Sequence, residues 1–303
     1  PALAGPRTPA MSQIRRFLRV LGQLLLAMVA IVGTALVFRW LLYPVLLWVF
    51  DPGPGLATQV RRFGILLSAT LGYWLYVRFL RKRAVAELRP AVASAALGGL
   101  AGAALIGLVL LPLFVFGFYQ VTAHQGASWS LLEVAGFLLV AAMLEELVYR
   151  GVLFQTLETA WGTLPALCLQ ALVFGAVHLE NVFAFGGSAW DMVATVVSVT
   201  LLGAMWALLF VLFRNLWICG LNHFAWNFTI LCSGVPLSGI DDWRDSAPIR
   251  TEYRGPDWLT GGLFGPENSL LTLVVVALVV GVLLHFAMQR GRLLSAAAVV
   301  QGR

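Results

Sequence analysis

Long apolar runs separated by short polar breaks dominate the chain. A bilayer core about 30 Å thick takes about 20 apolar residues per helix. On that measure the pattern predicts eight spans, at about 20–38, 62–79, 92–118, 130–150, 163–179, 191–213, 215–233 and 269–288. The apolar stretch 40–50 is too short to cross alone. It extends the first span or lies at the interface, and Pro44 favours a bend there. The expected fold class is all-α, a polytopic membrane helix bundle of about eight transmembrane helices.

The chain divides accordingly. Residues 1–19 read as a flexible basic tail, 20–130 as N-terminal transmembrane helices, 131–233 as the core helices, 234–268 as an extracytoplasmic loop, and 269–303 as the last helix with a basic tail. Within the tail, Met11 reads as an internal or original start. Arg15, Arg16 and Arg19 precede an apolar run longer than a signal peptide's, so the first span reads as a retained anchor.

Composition agrees with the pattern. The 303 residues are 60% hydrophobic and 11% charged, which excludes an ordinary soluble enzyme, a disordered chain or a nucleic-acid-binding arm. Three cysteines, Cys168, Cys219 and Cys232, build neither a disulfide scaffold nor a CxxC metal pair and read as small packing residues. The net charge of +6 orients the bundle. Arg78, Arg81, Lys82, Arg83 and Arg89, with the basic termini, should face the cytoplasm, and the acidic 234–268 segment the other side; Arg61 and Arg62 run against the trend. Trp129 and Trp190 at one end and Trp161 and Trp217 at the other fit aromatic belts.

Ionisable groups inside spans are costly and mark functional candidates. Arg39 and Glu133 lie near span ends and can snorkel, and His285 sits in the last turn of the final span. The remaining groups cluster in three segments. In 141–151 (AAMLEELVYRG), Glu146 and Arg150 share a helix face and read as an ion pair, while Glu145 points about 100° away and stays unpaired. An unpaired carboxylate in a low dielectric acquires the raised pKa that a general base or acid needs. In 172–181, Phe174 and His178 share a face; in 219–229, His223 and Asn227 do, with Asn222 turned to a helix contact.

Gly162 and Pro165 mark a turn midway between Glu145 and His178, so a hairpin there sets both roughly 24 Å from the turn. His223 lies only about 12 Å from its own turn at Arg214-Asn215. The hairpin end, with Gln155, Thr156, Glu158 and Thr159, should therefore project further into the cytoplasm. Three spans then bring polar groups to one level.

These segments resemble the CPBP family of CAAX proteases and bacteriocin-processing intramembrane proteases, which includes the type II CAAX prenyl endopeptidases. The pattern EExxxR, FxxxH and HxxxN reads here as Glu145-Glu146 to Arg150, Phe174 to His178, and His223 to Asn227, across about 142–230. The resemblance implies an eight-helix bundle with a conical cavity near the cytoplasmic side. It implies that Glu145 and His178 activate a water against a peptide carbonyl, that His223 and Asn227 stabilise the oxyanion as neutral donors, and that Glu146, Arg150 and Phe174 support the site.

Two readings of the chemistry stand side by side. One has no cofactor; the other is a zinc-dependent version with Glu145, His178 and His223 as ligands. The first is favoured, because no HExxH is present and Asn227 is a poor zinc ligand. The implied partners are membrane lipid and a hydrophobic or lipidated peptide, with no nucleic acid. The implied location is integral, multi-pass, with both termini cytoplasmic. Competing functions are a non-catalytic peptide-binding scaffold of the same fold and a transporter, the latter lacking a continuous polar path.

Overall fold

The computed structural model describes residues 9–301, with side chains from 13 to 301. The start of the expected tail and Arg303 lie outside the described residues. The tail expectation needs correction beyond that. Helix α1 runs Pro9–Val37, so the first span begins well before residue 20. It continues through a π turn, Phe38–Leu42, into α2, Tyr43–Phe50. Pro44 offers no N–H, so the ladder widens just before it and the helix goes on.

Helix α3 is Pro54–Leu75, extended by a second π turn at Tyr76–Leu80. Helix α4 is Val92–Val115. Strand β1, Tyr119–His124, precedes α5, Trp129–Glu146, which passes through a π turn at Leu147–Phe154 into α6, Gln155–Trp161. Then follow α7, Thr163–Val177; α8, Leu179–Ala184; α9, Ala189–Phe213; and α10, Leu216–Cys232. Strand β2, Ile249–Tyr253, short α11, Asp257–Thr260, α12, Leu270–Gln289, and α13, Ala296–Gln301, complete the order.

The molecule is an all-α polytopic membrane bundle. Among the described residues six helices are long and apolar enough to cross a membrane: Gln13–Phe50, Pro54–Leu80, Val92–Val115, Thr163–Ala184, Ala189–Phe213 and Leu270–Gln289. The other two expected spans also form helices. They carry motifs: one is broken up by charges, and α10 has only 17 residues. Leucine, valine and tryptophan side chains project from the outer faces of α1 to α4 and α12, where lipid would cover them. Trp129 and Trp190 are exposed as an aromatic belt requires, whereas Trp161 and Trp217 are half-buried.

The helices alternate direction, which divides the molecule into two ends. One end gathers the start of α1, the 81–91 segment, the α6–α7 turn at Gly162, the α9–α10 turn at Arg214 and the residues after α12. Hydrogen bonds tie these together: Arg83 to Gln155 (2.9 Å), Asn215 to the Arg89 carbonyl (2.9 Å), Thr163 N–H to the Leu294 carbonyl (2.9 Å). The α6–α7 hairpin does not project into water as expected. Gln155, Thr156, Glu158 and Thr163 are buried, and Arg214 forks onto Glu158 at 2.6 and 2.7 Å. Glu158 is thus level with Arg214. The path from there to Glu146 exceeds the path from Arg214 to His223 by three residues, about 4.5 Å of helix, which the π turn and side-chain reach absorb.

The opposite end carries the 234–268 segment. It is folded, not loose. Its β2 pairs antiparallel with β1, Tyr119 opposite Tyr253 and His124 opposite Ile249, with an irregularity between Val121 and Ala123. This two-stranded sheet was not legible as strand in the sequence. It is short and sits outside the bundle.

Candidate active site

Helix α5 starts on a Ser128 cap, whose Oγ accepts from Leu131 N–H at 3.3 Å, and ends at Glu146 where the backbone widens into the π turn. The turn leaves the Gly151 carbonyl to side chains: Tyr73 Oη and Gln155 Nε2 both donate to it at 3.1 Å. Single π turns of this kind frequently sit at functional sites.

The adjacent glutamates face different surroundings, as the helical spacing requires. Glu146 is fully buried and accepts from Arg150 Nη1 at 2.9 Å. Arg150, also fully buried, sends Nη2 to the Gly203 carbonyl at 3.0 Å and lies 4.8 Å from the Phe174 ring centroid. Glu145 keeps 36% of its side chain accessible and faces a cavity. Its Oε2 is buried without a hydrogen-bond partner.

Helix α7 stops at His178, the joint before α8. Its Nδ1 lies 2.8 Å from the Phe174 carbonyl oxygen. A carbonyl only accepts, so Nδ1 carries the proton and a neutral ring offers Nε2 as the base. Helix α10 starts where Arg214 takes a left-handed conformation and Asn215 caps the Trp217 and Ile218 amides at 3.0 and 3.2 Å. Seven residues on, the His223 ring stacks on Trp206 at 3.8 Å between centroids. Its Nδ1 donates to Glu146 Oε1 at 3.0 Å, and its Nε2 lies 3.9 Å from Glu145 Oε2. One turn further, Asn227 Oδ1 is buried with no partner.

Glu145, His178, His223 and Asn227 line one cavity of about 220 Å³, with Phe174 on its wall. Glu146 and Arg150 lie behind it, holding His223. The structure therefore brings all seven sequence-derived residues together. One detail changes. With Nδ1–H committed to Glu146, His223 can donate from Nε2 only as an imidazolium, so Asn227 is the neutral donor of the two.

The sequence reading missed the roof of the cavity. The 234–268 segment, which carries no motif, contributes Ser238, Trp243 and Glu267 to the lining. Glu267 accepts from Ser238 Oγ at 2.6 Å and Trp226 Nε1 at 3.3 Å. Burial pushes its carboxyl up, against the opposing influence of Ser238, His178 and His223. Asn181, three residues beyond His178, donates to the Ser238 carbonyl at 2.8 Å. A lone glutamate between Pro266 and Asn268, next to an apolar run, was the signal available. The roof also corrects an expectation: the cavity lies at the end bearing 234–268, not at the basic end. A cavity on the cytoplasmic side and an extracytoplasmic 234–268 loop cannot both hold.

Residues 127–229, which contain all three motifs, match the family model described as type II CAAX prenyl endopeptidase Rce1-like. This segment is thus similar to the CAAX-protease family. The likeness is to a family of proteases, and the apolar helices make the chain an integral membrane protein. No curated protein and no solved structure matches the chain. The matched segment is about a third of the chain, and the Glu267 roof lies outside it.

Among the described residues no three His, Cys, Asp or Glu groups come together at a metal-binding distance. Cys219, four residues before His223, is fully buried and points its Sγ at the Trp206 carbonyl, 3.7 Å away, as a packing residue.

Proposed function

We propose that this protein is an intramembrane endopeptidase that cleaves a membrane-associated peptide, prenylated or bearing a C-terminal signal, with water as nucleophile. The observation that carries this reading is the division of labour between adjacent glutamates. Glu146 is sealed from the cavity with its Oε1 held by Arg150 and His223, while Glu145 makes no hydrogen bond through its buried Oε2 and faces a cavity shared with His178. Native structures seldom leave a buried acceptor unpaired without a functional reason.

The steps follow from the geometry. Among the described residues Glu145 and His178 line the cavity without an ion pair between them, which leaves space for a water. Glu145 and the bare Nε2 of His178 take up the proton of that water as its oxygen attacks the scissile carbonyl. The Asn227 amide, joined by His223 in its doubly protonated form, donates to the resulting oxyanion. The proton then passes to the leaving amine as the C–N bond breaks. Phe174 fixes His178 through its carbonyl and carries the Arg150 guanidinium on its face. No step passes through a metal.

The test compares wild type and Glu145→Ala in detergent on membrane-anchored C-terminal peptides, with and without a prenyl group, and with and without a zinc chelator. The reading expects cleavage that disappears in the variant and ignores the chelator. Chelator loss restored by zinc would overturn the metal-free mechanism. Binding without cleavage by either protein would favour a scaffold.

A further inference from the structure

The end of the molecule on which the cavity lies limits which peptides can reach it. Lys and Arg are distributed unequally between the two ends. The end holding the start of α1, the 81–91 segment, Arg214 and the residues after α12 carries eleven Lys or Arg among the described residues, against Glu87 and Glu158. The other end carries six, namely Arg39, Arg61, Arg62, Arg244, Arg250 and Arg254, against ten Asp or Glu. Basic residues in short connections stay on the cytoplasmic side, and a difference of this size sets the orientation of a bundle.

The cavity does not lie at the basic end. Its floor is His223, behind which Arg150 and Glu146 are sealed at zero exposure. Its roof is Ser238, Trp243 and Glu267, all from the acidic end. Below the site lie the buried contacts of Tyr73, Glu87 and Gln155 and the Glu158–Arg214 pair, and the cavity of about 390 Å³ that Glu87, Gln155, Glu158 and Arg214 line at the basic end shares no lining residue with the site. A peptide can reach Glu145 from beside the roof, not through that floor.

We infer that the site is served from the non-cytoplasmic side, and that the substrate is a membrane-tethered peptide whose scissile segment has already crossed the bilayer. This inference rests on the protease reading for the word substrate, and on charge and cavity position for the side. A prenylated C-terminus displayed at the cytoplasmic face would meet that separate cavity and not the site.

Two measurements separate the inference from the protease reading. The first is labelling of single cysteines by a membrane-impermeant maleimide, in a variant with Cys168, Cys219 and Cys232 replaced by Ser. Asp242→Cys, exposed on the roof segment, and Gln289→Cys, exposed at the end of α12, report the two ends. Asp242→Cys should label in bacterial spheroplasts and Gln289→Cys only in inverted vesicles; the reverse pattern overturns the inference whatever the enzyme cleaves. The second uses inverted and right-side-out vesicles carrying wild type, with the same tethered peptide added outside. Cleavage should be at least tenfold faster in right-side-out vesicles, and faster cleavage in inverted ones overturns the inference. If detergent-solubilised enzyme cleaves nothing, the protease reading fails, and the labelling pattern still decides the side.

Discussion

Gly102→Ala probes how α10 is held in place. Helix α4 approaches α10 so closely that a Cβ on Gly102 would lie 2.2 Å from the Asn222 carbonyl oxygen, where ordinary contact begins at 3.4 Å. Backbone meets backbone, so no side chain can swing away, and the helices must part by about 1 Å. Such overpacking costs about 1–3 kcal/mol, offset by up to about 1 kcal/mol of better helix propensity. The net loss should be about 1–2 kcal/mol. The displacement also reaches the site. Asn222 donates to the Gly98 carbonyl and accepts from Trp206 Nε1, both at 2.9 Å, and Trp206 stacks on His223. A misplacement of about 1 Å at a catalytic group can cost about 10² in rate. The assay is thermal unfolding in detergent together with peptide cleavage. Gly107→Ala serves as control, since nothing lies within 4 Å of its added Cβ. If Gly102→Ala matches Gly107→Ala in both measurements, the close-packing account of α10 is wrong.

Three further outcomes follow from the buried polar groups. Arg150→Met leaves Glu146 charged, buried and paired only to His223, and should cost about 3–5 kcal/mol, read as a large drop in the thermal midpoint and loss of cleavage. Burial alone would raise the Glu87 carboxyl, but hydrogen bonds and charge from Arg83, and a hydrogen bond from Tyr73, hold it below the usual carboxylate range. Its contribution is therefore present above the unfolded pKa of about 4.3 and lost as pH falls through the lower folded value. Glu87→Gln should flatten the acid limb of a stability-against-pH curve, and an unchanged limb would remove Glu87 from the account. Asn227→Ala should lower the turnover rate by about 10²–10³ with little change in thermal midpoint, as loss of one oxyanion donor does.

The site was legible because its chemistry is local. Four-residue spacings put Glu146 with Arg150 and His223 with Asn227 on shared helix faces, and Gly162 announced the hairpin that brings His178 back. The spans were legible because lipid demands long apolar runs, although the first helix starts well before residue 20. What escaped is tertiary. The buried contacts of Gln155 with Arg83 and Glu87, and of Glu158 with Arg214, join residues far apart in sequence, so those side chains read as solvated ends. The Gly98 to Gly102 spacing, a small-residue pair one turn apart, was the visible sign of the α4–α10 contact. The roof escaped for a different reason: polar 234–268 looks like any loop until its fold sets Glu267 beside His178 and His223.

The central claim is that two neighbouring glutamates do different work, and separate substitution of each by glutamine tests it. Both variants and wild type are measured for thermal midpoint in detergent and for cleavage of one tethered peptide. Glu145→Gln should keep the wild-type midpoint and lose turnover by at least 10²-fold, in line with removal of a general base. Glu146→Gln should lower the midpoint, because Arg150 is left buried without its counter-charge. Full cleavage by Glu145→Gln, or a fallen midpoint in Glu145→Gln with an unchanged one in Glu146→Gln, would contradict the account.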